Sequence, residues 1–268
     1  MTGGRDSGAA HRRVWTVRER AWLAMAALVP GVLVTSALVD PALPARIALA
    51  FPAALLAGLA AARARGGAAV DPSSLLVAAL VALVLPTGSP WWSAPAAAVI
   101  AVGVGRGLWT SPSAAPIHPA MLGVALVMLT LPPPAEAPLA GPWPGLAWIA
   151  GGIALAALRV VRWPAPLAML GAVFLGLAAT APDPGDAARA ALADGRVALV
   201  AFFVAGAPAS GALSTVGRWI AGAGIGLAAV LVDPERLEDA LPYAVLLVNA
   251  LAPLVDRGVD AVRAPRSP

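Results

Sequence analysis

The sequence predicts an all-α integral membrane protein, on three observations. Ten separate apolar stretches fill most of the 268 residues. The composition is 60% hydrophobic and only 12% charged. Mean hydropathy is +0.83, which leaves too little polar surface to coat a soluble globule of this size. At roughly 1.5 Å rise per residue against a hydrocarbon core of about 30 Å, each stretch reads as one helical span.

The first span, 21–38, follows an Arg-rich start. Thr35-Ser36-Ala37 resembles a weak signal-peptide cleavage site, but continuous spans follow it and removal would leave an odd number of them. Span two covers 46–62. Span three, 73–86, opens on Asp71-Pro72-Ser73-Ser74. An Asp before a Pro and two Ser is a good helix cap, and an amide-rich helix start carrying two hydroxyls can also face a ligand. Span four is 91–105, and span five, 117–132, begins at His118-Pro119. A lone His near the interface is either a hydrogen-bonded structural residue or a ligand. Pro132-Pro133-Pro134 cannot continue a helix and ends this span sharply.

Spans six to eight cover 143–158, 164–180 and 196–206. Ser210, Ser214 and Thr215 follow, fitting either a ligand or loop solvation. Span nine, 217–232, carries Gly222, Gly224 and Gly226 as a small-residue face for close helix approach. That run lies inside an apolar segment with no preceding strand, so it is not a nucleotide-binding loop. Span ten, 241–255, holds Asn249, whose plain reading is an interhelical hydrogen bond, and ends at Asp256, a solvated end charge. The shorter spans must sit in a thinned bilayer, break midway or pack deep inside the protein.

If the spans alternate, one side collects 14 of the 18 basic residues, all arginine, and the other has only Arg46, Arg189, Arg196 and Arg236. The positive-inside rule then puts both termini in the cytoplasm, in a cell inner membrane. Arg12-Arg13 reads as an anchor rather than an export signal. Residues 1–20 and 259–268 are expected to be cytoplasmic tails around one polytopic domain, 21–258, with loops at 106–116, 132–142 and 181–195. The net charge of +4 does not point to nucleic acid, because the arginines punctuate apolar spans instead of forming one basic face. There is no Cys, and His118 has only His11 for company, so neither a thiolate nor a histidine metal site is expected. No Ser/His/Asp set, paired intramembrane carboxylates or phosphate loop stands out. From residue chemistry alone the chain is a transporter or a cofactor-bearing membrane subunit.

The order of short motifs carries a resemblance. Asp71-x-x-Ser74-Leu75, Leu85-Pro86, Pro90-Trp91-Trp92, Gly105-Arg106-Gly107 and His118-Pro119-Ala120-Met121 come first. Trp163-Pro164-x-Pro166, Ala201-Phe202-Phe203-x-Ala205, Gly217-Arg218 and the glycine run follow. Tyr243 to Leu247, Asn249-Ala250, Pro253-Leu254 and Asp256-Arg257 close the series. Over about residues 65–258 this resembles the RnfD component of the Rnf electron-transport complex and the NqrB component of the sodium-pumping NADH:quinone oxidoreductase.

The resemblance implies ten transmembrane helices in two inverted five-helix repeats, an arrangement shared with urea-transporter-like channels. It implies a bound flavin, FMN or riboflavin, and electron transfer within an ion-translocating complex. Other membrane subunits and a flavoprotein electron donor would be the partners, besides the lipid bilayer. Asp71, Ser73, Ser74, Arg106, His118, Ser210 and Asn249 are the expected cofactor-binding residues. The pattern departs from the family in three places. The loop after span five has no Thr to accept a covalent FMN, and Thr130 sits in an apolar run. His118 stands where Asn is usual, and Ala207-Pro208 replaces an Asp-Pro. A noncovalent flavin is therefore expected. The rival readings are a small-solute channel of the same fold and a structural subunit without redox activity.

Fusing reporters to the chain tests the topology. Fluorescent fusions at the C-terminus should be bright, and alkaline phosphatase inserted within 181–195 should be active; the reverse pattern would refute the orientation.

Overall fold

The structure is a computed structural model that describes residues 15–66, 72–105, 117–131, 141–207 and 214–263. Among these, helices are the regular elements: α1 (Val17–Leu38), α2 (Leu43–Ala64), α3 (Ser73–Val84), α4 (Ser93–Val99) and α5 (Pro119–Met128). The second half has α6 (Trp143–Ala157), α7 (Pro164–Thr180), α8 (Pro184–Asp194), α9 (Arg196–Leu199), α10 (Thr215–Val232) and α11 (Leu237–Arg263). Helices α4 and α9 continue into π-helical segments, Ile100–Val104 and Val200–Ala205.

Local chemistry sets the helix starts. Thr16 and Glu19 form a reciprocal capping box on α1, Thr16 Oγ1 accepting from the Glu19 amide at 3.2 Å. Proline occupies the first or second position of α2, α5, α6, α7 and α8, where its missing N–H costs nothing. Ser214 caps α10, its Oγ accepting from the Gly217 amide at 2.9 Å.

Each of the ten apolar stretches is helical, with three differences from expectation. The external connection 181–195 contains a helix of its own, α8, capped by Asp183. Helix α11 starts before residue 241 and runs through Pro253 to Arg263, into the segment read as a tail. Four helices are long and apolar enough to cross a membrane: α1, α2, α10 and residues Leu237–Asp260 of α11. The other six apolar helices span 10–17 residues each, less than a bilayer's hydrocarbon core requires.

Polar contacts show how the helices alternate. At the end of the bundle where α1 begins, here the proximal end, Trp15 Nε1 donates to the Leu158 carbonyl after α6 at 2.8 Å. The Arg162 amide before α7 donates to the Gly206 carbonyl after α9. Ser214, before α10, bonds Asp256 late in α11. At the opposite, distal end, the start of α2 meets the end of α3, and the start of α9 meets the start of α11. The pattern of neighbours repeats along the chain. Helix α2 packs on α4 as α7 packs on α10, α4 on α5 as α10 on α11, and α1 on α3 as α6 on α9.

The glycine run of α10 does not form one face. A Cβ on Gly222 would strike the Ala165 carbonyl oxygen of α7, and one on Gly226 the Met169 oxygen, whereas Gly224 faces Val248 of α11 at 3.3 Å. Positions two apart lie on different sides of a helix, so only the pair four apart shares a partner. Gly222→Val is expected to destabilise the protein by roughly 1–3 kcal/mol through overpacking, with Gly224→Ala milder. Thermal unfolding in detergent would check the ranking.

Candidate functional site

Helix length places the polar residues. Arg46, three residues into α2, donates to the Pro86 carbonyl just after α3 at 3.0 Å, so the two helices are level at the distal end. From there α2 runs on to Ala64, whereas α3 reaches back only to Ser73. For near-parallel axes, α3 therefore begins about 9 Å short of the proximal end of α2.

Helix α5 packs against α3 and begins on the same side, with His118 in its cap position. Helix α11 packs on the other flank of α5, where Tyr243 OH donates to the Ala125 carbonyl at 3.3 Å. Asn249 lies six residues past Tyr243, about 9 Å nearer the proximal end, and His118 lies seven residues before Ala125 on the antiparallel α5. His118 and Asn249 thus share one level of the bundle.

Both are buried, at 6% and 4% exposure. Neither His118 Nδ1 nor Asn249 Nδ2 has a hydrogen-bond partner among the described residues. The interhelical hydrogen bond expected of the Asn249 amide nitrogen is absent there. A buried unpaired polar group costs about 1–3 kcal/mol, and two at one level make a place where a polar ligand edge would be held.

The other expected site residues divide. Ser73 and Ser74 open α3, Ser74 is buried, and both are engaged in interactions. The cap position of α3 is held by Pro72, without a side-chain cap bond. Asp71, Arg106 and Ser210 lie outside the described residues. Ser214 and Asp256, read as loop solvation and a free end charge, bond each other, Ser214 Oγ to Asp256 Oδ1 at 3.2 Å. Thr130 Oγ1 donates to the Val127 carbonyl of its own helix.

Sequence reasoning missed a second constellation, at the distal end. Asp40, in the turn after α1, pairs with Arg46, and both are buried. Arg196, the first residue of α9, pairs with Asp239 at 3.3 Å and Glu238 at 3.7 Å, and its charge is felt at Arg46. These arginines registered in the sequence only as exceptions to the charge asymmetry. The available signal was an Asp six residues before an Arg flanking a span, since a charge at membrane depth demands a partner.

A polytopic helical bundle with this motif order is matched by a model of the NQR2, RnfD, RnfE family over residues 6–138 and 136–264. The chain belongs to that family. It is similar to proteins named as the RnfD-type component of an ion-translocating oxidoreductase complex. One, from Ectopseudomonas mendocina (strain ymp), is 30% identical over 298 residues, covering 86% of each chain. Another, from Pseudomonas aeruginosa (strain LESB58), is 28% identical, covering 87% of this chain and 88% of the relative. A third, from Vibrio cholerae serotype O1 (strain M66-2), is 39% identical over 118 residues, 42% of this chain and 34% of the relative. In this NQR2, RnfD, RnfE family member, the unpaired nitrogens of His118 and Asn249 fit a flavin, whose heteroatom-rich ring edge both accepts and donates hydrogen bonds.

Breaking the distal pair should be costly. Asp40→Ala leaves Arg46 buried and uncompensated, and a loss of roughly 3–5 kcal/mol is expected. The exposed pair Asp186–Arg189 should be worth less than about 1 kcal/mol. Denaturant titration of the two variants in micelles, followed by circular dichroism, measures the difference.

Proposed function

We propose that this chain is the RnfD-type membrane component of an ion-translocating oxidoreductase complex and passes electrons through a noncovalently held flavin. The observation that carries the flavin is the pair of buried, unpartnered nitrogens on His118 and Asn249, at one level between α5 and α11. The complex itself comes from the names of the relatives, which cover most of this chain. The recurrence of the α2–α4, α4–α5 and α1–α3 packing in the second half supports ten membrane helices in two inverted five-helix repeats. The arginine asymmetry supports an inner-membrane location with the proximal end, and both termini, in the cytoplasm.

A flavin at this level would supply the electron chemistry, accepting and returning electrons from a flavoprotein donor and the other membrane subunits. The chain's own residues would bind and orient it. Asn249 and His118 would hydrogen-bond its polar edge, with Ser73 and Ser74 fixing the start of α3 beside it. Asp71, Arg106 and Ser210 would add polar groups from the flanking connections, on sequence grounds alone. Buried alanine, valine and methionine around α3, α4 and α5 would keep water out. The loop after α5 offers no Thr, so attachment through a phosphate ester is not expected.

The purified protein should show flavin absorbance near stoichiometry, and denaturation should release all of it through a small-cutoff filter. His118→Leu and Asn249→Leu should each weaken flavin retention on the order of tenfold, the loss of one hydrogen bond from a buried site. Retention on the filter would overturn noncovalent binding. A protein that stays colourless after reconstitution with FMN and riboflavin would overturn the redox reading, leaving a solute channel or a structural subunit.

A further inference from the structure

The starts of α7 and α10 carry the same pair of residues, Arg162-Trp163 and Arg218-Trp219, and meet at the proximal end. The indoles of Trp163 and Trp219 form an edge-to-face pair with centroids 5.6 Å apart, and both remain substantially exposed. The charges of Arg162 and Asp256 both reach Arg218. Asp256 is already bonded to Ser214, and among the described residues the Arg162 guanidinium has no ion-pair partner. Two cations are therefore held close together, at two positive helix ends, facing one carboxylate that is in use elsewhere. Below the tryptophans, exposed apolar side chains continue down both helices: Leu167, Phe174 and Leu175 on α7, and Val216, Ile220 and Leu227 on α10.

We infer that the paired starts of α7 and α10 bind the headgroup phosphate of an anionic phospholipid, with its acyl chains along the apolar stripes beneath. The tryptophan pair marks the depth at which amphipathic rings sit between headgroups and hydrocarbon. Basic pockets between transmembrane helices at that depth recognise anionic headgroups. Continuity between the cationic pair and a lipid-facing stripe favours a lipid over an acidic protein segment, which would leave the stripe uncovered. This inference rests on the reading of the chain as a membrane protein and is independent of flavin binding.

Native mass spectrometry of the full-length, delipidated protein, titrated with phosphatidylglycerol or with phosphatidylcholine of the same acyl chains, tests it. Wild type should bind phosphatidylglycerol in preference. The double substitution Arg162→Gln, Arg218→Gln should weaken that binding on the order of tenfold and leave phosphatidylcholine unchanged, while Arg162→Lys, Arg218→Lys retains the preference. Arg162→Gln alone, at an exposed side chain, should show a smaller loss and serves if the double variant does not fold. Equal affinity of wild type and the glutamine variants for phosphatidylglycerol, or no preference over phosphatidylcholine, would overturn the site. So would a glutamine variant that keeps its lipid but no longer co-purifies with the other subunits, which would make the cluster a protein interface. Flavin content, read on the same samples, should not follow the lipid result.

Discussion

A helix that stops inside an apolar solvent leaves its last carbonyls unpaired, and the rest of this bundle depends on how that is resolved at the end of α3. Arg46 reaches across from α2 to the carbonyls of Leu85 and Pro86, at 3.4 and 3.0 Å. Each such group left unpaired in hydrocarbon would cost several kcal/mol. The solution creates its own demand, because a buried guanidinium needs a counter-charge. Asp40 supplies it, and the same carboxylate accepts the Ala42 amide at 3.1 Å, fixing the turn from α1 to α2. One ion pair thus ties together the end of α1, the start of α2 and the end of α3.

Arg196 does the equivalent for the second half. It opens α9 and is held by Glu238 and Asp239 in the first turn of α11, so two short buried helices are anchored distally by paired arginines. With their distal ends fixed, the shortfall in length of α3 falls at the proximal end. There the polar starts of α3 and α5 lie inside the level at which the long helices finish. Against this background of satisfied groups, the nitrogens of His118 and Asn249 stand apart. A structure that pairs its membrane-depth charges so completely has no evident structural reason to leave two polar atoms unmatched at one level, which is why they, and not the serines, define the candidate site.

The second half is packed more closely than charge alone requires. Gly222 and Gly226 bring the backbone of α10 onto α7, against the carbonyls of Ala165 and Met169. Without a hydrophobic driving force between helices in lipid, close van der Waals approach of this kind is a main source of association. It also carries the tryptophans and arginines at the two helix starts to one place on the proximal surface.

Hydropathy is a local property, so the sequence by itself determined the solvent, the helical class and the ten apolar segments, with boundaries sharpened by proline and capping residues. His118 and Asn249 were legible as polar residues in the wrong solvent, and the family was legible from motif order. What lay beyond reach was pairing. Arg46 finds its carbonyl partners 39 and 40 residues away, Asp256 finds Ser214 42 away, and Arg196 finds Asp239 43 away. Nothing in a linear pattern says which helix packs beside which, so Arg46 counted only as a misplaced charge, and Gly224 as one of three on a single face. Only the tertiary structure decided which buried polar groups are satisfied and which two are not, because satisfaction depends on the neighbour that packing brings and not on the residue itself.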